Sequence, residues 1–306
     1  MGVAFSWDRN RIAERVVTSS SVQPGVAYED TGPETGFPVV ICAGSPGSRV
    51  LEARSVVAAR RHGLRLIGYD RPGYGLTPAA RAPRRIADVA DDVRWLASEL
   101  GVERLAVYGE SGGAAYALGC AALLPDLVVA ASVLAPLGPF SDPDFDARAG
   151  LHPSTVEELD RYFEDRDRAR EQFRADVAEM AESLASPDWW MERWGDRAGA
   201  DPAHDIETAT HLAGTCREGL RQGDEGWWAD WEATVNPWGF DLRQVEPPIL
   251  LCHGEKDESC PVSHGRYIAS CLPTVSAHFP ENEDHTTIFE RHREESFSWI
   301  AEVAGA

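Results

Sequence analysis

Apolar residues recur along this chain with two spacings, and the two take turns. Short runs rich in β-branched residues, bounded by glycine, proline or charge, read as buried strands: "PVVICAG" (38–44), "LRLIGYD" (64–70), "RLAVYGE" (104–110), "VVAASVLAP" (128–136), "PPILLCHG" (247–254) and "TVSAHF" (274–279). Between them lie helical patterns near Leu51–Arg61, Ile86–Leu100, 112–124, 263–271 and 286–303; in the second, Ile86, Val89, Val93 and Leu96 share one face. "ERVVTSSS" and "GVAYEDTG" read as an opening hairpin. Strand and helix in alternation predict an α/β fold, a mostly parallel sheet with helices on both faces.

The alternation stops at Gly138 and resumes near Asp241, so the interval is an insertion after the sixth strand. Residues 154–185 read as one long charged helix, with Val156, Leu159, Phe163, Phe173, Val177, Met180 and Leu184 on its apolar stripe. A tryptophan-rich stretch follows: seven of the ten tryptophans fall in the insertion. Most would pack it together, but aromatic side chains also dominate apolar ligand sites. Trp189, Trp190, Trp228 and Trp231 are the candidates for such a lining. The expected organisation is a core of 1–137 and 240–306 with a helical domain of 138–239.

Composition narrows the function. The formal net charge of −21 disfavours nucleic acid and anionic membrane surfaces as partners. No apolar run approaches the ~20 residues of a membrane span, and the charged N-terminal stretch does not read as a secretory signal. The six cysteines are scattered without a C-x-x-C pair, which suits buried thiols in a cytoplasmic protein better than disulfides or zinc. H-E-x-x-H, Walker A and first-strand G-x-G-x-x-G patterns are absent from the sequence, so neither metal nor organic cofactor is expected.

The chemistry concentrates at "GESGG" (109–113), where Ser111 sits between a strand and a small-residue helix. A serine on so sharp a turn needs glycine two positions to either side, and Gly109 and Gly113 supply them. The helix start offers N–H groups and partial positive charge to an oxyanion. A bare helix cap would also place a serine here. A nucleophilic serine needs a base and an orienting acid, which in this architecture follow in the order Ser, Asp, His beyond the carboxyl ends of strands. Asp257 after "PPILLCHG" and His285 before the last helix hold those places; His253 is the rival base and reads as structural. Oxyanion donors would be the N–H groups of Gly112 and of Ser45 in "AGSPGSR" (43–49), a turn that Pro46 restricts through a cis or a trans bond. Glu110, beside the nucleophile, either reaches substrate or holds a buried hydrogen bond.

Five elements together resemble the α/β-hydrolase superfamily over nearly the full length: "AGSPGSR", "YDRPGYGLT" (69–77), "GESGG", "HGEKDESCP" (253–261) and "EDH" (283–285). The capped proline-iminopeptidase-like and epoxide-hydrolase-like group is the nearest subset, which makes the insertion a helical cap. Ala43 stands where the family usually carries histidine. Serine in place of an aspartate nucleophile, with Tyr162 the one tyrosine of the insertion, speaks against epoxide hydrolysis and dehalogenation. The resemblance implies a serine hydrolase acting on an ester, thioester or lactone of a small molecule. An aminopeptidase or amidase, an acyltransferase or macrocyclase, and a non-catalytic ligand-binding homologue remain the alternatives.

Overall fold

The computed structural model describes residues 13–15, 25–194 and 202–306. Residues 16–21 of the expected hairpin and the side chain of Trp194 lie outside the described residues. The strands are β1 (Ala13–Arg15), β2 (Tyr28–Asp30), β3 (Phe37–Cys42), β4 (Leu64–Tyr69), β5 (Leu105–Glu110), β6 (Val128–Leu134), β7 (Ile249–Cys252) and β8 (Val275–His278). The helices are α1 (Ala53–Arg61), α2 (Val89–Leu100) and α3 (Gly112–Leu123), then α4 (Pro153–Glu164), α5 (Arg166–Leu184), α6 (Pro187–Trp194), α7 (Pro202–Gly219) and α8 (Glu225–Val235), and finally α9 (Val262–Cys271) and α10 (Thr287–Ala304).

The eight strands form one sheet in the order β1-β2-β4-β3-β5-β6-β7-β8. β1 and β2 pair antiparallel, β2 joins β4 antiparallel, and β3 through β8 run parallel. Because side chains alternate across a strand, each parallel strand feeds two cores. Val40, Cys42 and Val107 face α2 and α3, with Val93, Leu96 and Leu118. Val39, Ile41, Ala106 and Tyr108 face α1 and α10, with Val56, Ala59, Phe297 and Ile300. Every residue from Gly113 to Ala121 is buried, which explains why α3 is built of small residues: it runs close against the middle of the sheet.

The insertion after β6 is helical, α4 to α8. The single helix expected over 154–185 is instead two. Asp165, in extended backbone at φ −152° and ψ 95°, interrupts it, and its side chain accepts from the Arg168 N–H to start α5. A short polar residue that caps a helix competes with helix continuation. Among the described residues no helix is long and apolar enough to cross a membrane. All six cysteines are free, five of them buried.

Candidate active site

Ser111 occupies the one residue between β5 and α3. Its backbone is held at φ 51° and ψ −127°, a region that disfavours an L side chain by about 1–3 kcal/mol. Its N–H donates to the Leu134 carbonyl at 2.9 Å, which ties the turn to the end of β6. The flanking glycines are required by close approach. A Cβ on Gly109 would lie 2.7 Å from both the Ala117 Cβ and the Gly113 carbonyl oxygen, and one on Gly113 would lie 2.0 Å from the Cys42 carbonyl oxygen.

Asp257 follows β7 and His285 precedes α10, so neighbouring strands deliver both to the same end of the sheet. Asp257 is buried; its Oδ1 accepts from the N–H groups of Ser259 at 2.9 Å and Cys260 at 2.7 Å. Burial alone would push this carboxyl upward. Hydrogen bonds from His253 and His285, the charge of His285 and the Cys260 N–H outweigh it and hold the group well below the usual carboxylate range. Asp257 is therefore an acceptor only, so the His285 Nδ1–H donates to its Oδ2 at 2.7 Å. With that proton placed, Nε2 of the neutral ring accepts from Ser111 Oγ at 3.0 Å. Burial disfavours the His285 imidazolium, but Cys260 and Asp257 more than compensate, and its basicity is raised well above that of ordinary histidine. His253 is fully buried, its Nε2–H donating to the Cys260 carbonyl at 2.7 Å and standing 3.4 Å from Asp257 Oδ2. It supports the acid loop from behind and does not meet Ser111.

The loop after β3 closes over the serine. A Cβ on Gly44 would be 3.3 Å from Ser111 Cβ, and one on Gly112 would be 3.4 Å from the Ser45 nitrogen. The Ser45–Pro46 peptide is cis. Among the described residues, the Ser45 and Gly112 N–H groups have no hydrogen-bond partner. Two free donors thus flank the turn that carries Ser111.

A cavity of about 830 Å³ opens from Ser111 and His285 between the sheet and the insertion. Glu110, Trp189 and Trp190 line it, together with Trp227, which nothing in the sequence distinguishes from its neighbours. Trp228 and Trp231 do not. Trp228 is buried within the insertion against Phe173, with the Arg170 guanidinium 5.2 Å from its ring, and Trp231 packs on Tyr162. Both Trp227 and Trp228 meet Phe173, at 5.5 and 5.3 Å between ring centres, but only Trp227 reaches the cavity. Glu110 accepts from the Tyr108 hydroxyl at 3.2 Å; burial raises its carboxyl above the ordinary range, against the pull of Arg293. Arg293 is itself paired with Glu52. Also unforeseen is Asp230 of α8, buried and paired with Arg71 at 2.6 Å beside Ser45. Nothing in an acid-rich insertion marks one aspartate as buried.

A family model for the alpha/beta hydrolase fold matches residues 38–291. An uncharacterized protein of Mycobacterium tuberculosis is 34% identical over 104 residues, which is 33% of this chain and 37% of that protein's length. Among solved structures, a hydrolase from Pseudomonas aeruginosa superposes with a TM-score of 0.65 at 19% identity, covering 98% of this chain and 100% of that one. An esterase from Exiguobacterium antarcticum gives 0.62 at 17% identity, over 91% and 95% of the two chains. The enol-lactonase from Burkholderia xenovorans gives 0.60 at 18%, over 92% and 96%. At these identities the structures share the fold.

Proposed function

Since this chain belongs to the alpha/beta hydrolase fold family, we propose that it is a serine hydrolase that cleaves a carboxylic ester, thioester or lactone of a small molecule. The observation that carries this reading is the unbroken chain from Asp257 through His285 to Ser111, 2.7 and 3.0 Å long, ending on a serine in strained backbone. In the proposed reaction His285 Nε2 takes the Ser111 proton as Oγ attacks the acyl carbonyl. Asp257 keeps the ring in the tautomer that can accept that proton and stabilises the imidazolium that forms. The carbonyl oxygen, now an oxyanion, receives the N–H groups of Ser45 and Gly112. His285 returns the proton to the leaving group, and a water activated by the same nitrogen releases the acid.

Residues 138–239 act in this reading as a cap over the acyl pocket, with Trp189, Trp190 and Trp227 as its apolar wall. The esterase and the enol-lactonase among the structural relatives suit the proposed substrate class. The test is acid release from a panel of acyl esters, thioesters, lactones and amino-acid amides. Ester or lactone turnover that disappears in Ser111→Ala is expected; inertness towards every acyl substrate would overturn the reading. Trapping the acyl group on added alcohols or amines, in place of water, would identify an acyltransferase.

A further inference from the structure

The Ser45 loop is secured by a residue outside the sheet. Asp230 lies on α8, is 5% exposed, and its two carboxylate oxygens receive five hydrogen bonds. Arg71 donates from Nε to Oδ1 at 3.2 Å and from Nη2 to Oδ2 at 2.6 Å; the Tyr74 hydroxyl reaches Oδ2 at 2.8 Å and the Tyr116 hydroxyl Oδ1 at 2.7 Å. The fifth donor is the Ser45 hydroxyl, to Oδ2. Arg71, held by that carboxylate, also donates from Nη1 to the Ala43 carbonyl at 2.7 Å and from Nη2 to Ser45 Oγ at 3.2 Å. The loop is thus gripped at Ala43 and at Ser45, on both sides of Gly44, which faces Ser111.

The same carboxylate reaches the other donor's element. Tyr116 belongs to α3, whose first residue is Gly112. One buried group therefore fixes both the loop that carries the Ser45 N–H and the helix that carries the Gly112 N–H. A carboxylate suits this place because all four neighbouring side chains donate to it, through five groups; an amide would turn an N–H₂ group towards one or more of them. Ala43 has no side chain with which to anchor the loop, so the anchoring comes across the domain boundary, from α8.

We propose that Asp230 is a positioning residue that sets the two oxyanion donors, so that the helical insertion completes the site rather than only covering it. This rests on the serine-hydrolase reading above. The groups touching the oxyanion stay the backbone N–H groups; Asp230 acts on them through Ser45, Arg71 and Tyr116. Fixed donors aimed at developing charge accelerate acyl transfer only while their geometry is held.

The test compares wild type, Ser45→Ala, Asp230→Asn and the double variant on an ester that wild type hydrolyses, with kcat, KM and Tm measured for each. Ser45→Ala keeps the backbone donor and deletes only its tether. We expect kcat to fall about 10-fold in Ser45→Ala and about 10- to 100-fold in Asp230→Asn, below the roughly 10²–10³-fold of losing a donor outright, with KM within about twofold. The double variant should be no slower than Asp230→Asn, because both changes cut one route. Should Asp230→Asn not fold, Tyr116→Phe replaces it and cuts the link to α3, with kcat again falling at constant KM. A lowered Tm with unchanged kcat, or losses that multiply in the double variant, would overturn the positioning role while leaving the hydrolase standing. Wild type without acyl turnover would overturn both.

Discussion

At the scale of single residues, the site depends on atoms that are absent. Gly113 is the sharpest case, since a methyl group there would sit 2.0 Å from the Cys42 carbonyl oxygen, rigid backbone on both sides. Gly113→Ala should lower stability by ~1–3 kcal/mol or more in thermal unfolding and should displace α3, abolishing the proposed ester hydrolysis. Asp257 gives a different signature. Its loss removes the partner that fixes the His285 tautomer, so Asp257→Asn should lower kcat by about 10⁴-fold. The pH profile reports the sign: the active form needs neutral Nε2, and His285 basicity is raised, so the acid limb of kcat/KM should lie above the ~6.5 of ordinary histidine. Without the Asp257 carboxylate the imidazolium is less favoured, and the limb should move to lower pH. An unmoved limb would mean that another group titrates. These residues were legible in the sequence because a strand, a turn and a helix of fixed composition locate Ser111, and because chain order locates the other two. Asp230 was not legible: its burial comes from Arg71, 159 positions away in the chain.

At the scale of elements, periodicity marked where strands and helices lie but not which way an amphipathic helix turns when both of its faces meet protein. α8 shows this. Its tryptophans are equally apolar in the sequence, yet Trp227 lines the cavity while Trp228 is enclosed with Phe173 and Arg170. The two should separate by assay. Trp228→Ala should reduce stability by ~3–5 kcal/mol, as truncation of a buried aromatic does. Trp227→Ala should chiefly raise KM, with a smaller change in Tm. The break at Asp165 was hidden for a related reason: the stripe from Val156 to Leu184 keeps a helical spacing across it, and one capping side chain sets the boundary.

At the scale of the molecule, sheet and insertion are joined by buried polar groups as well as by apolar packing. Arg49 bridges Asp70 of the core and Glu218 of α7 at 2.8 Å each, and the Ser48 N–H donates to Thr215 Oγ1 at 3.0 Å. Together with Asp230 they fix the insertion over the serine. The net charge of −21 acts further out. Anionic esters should be taken up slowly at low ionic strength and faster as salt is added, cationic ones the reverse, because screening within a Debye length of ~10 Å at 0.1 M removes the long-range field. Equal salt responses for matched anionic and cationic esters would show that this field does not reach the cavity mouth.

Whether Ser111 is an activated nucleophile is read most simply from intact mass after exposure to a fluorophosphonate, beside Ser111→Ala. Wild type should gain one phosphonyl group and the variant none. A wild-type chain that stays unlabelled, or a label that persists in Ser111→Ala, would contradict that role.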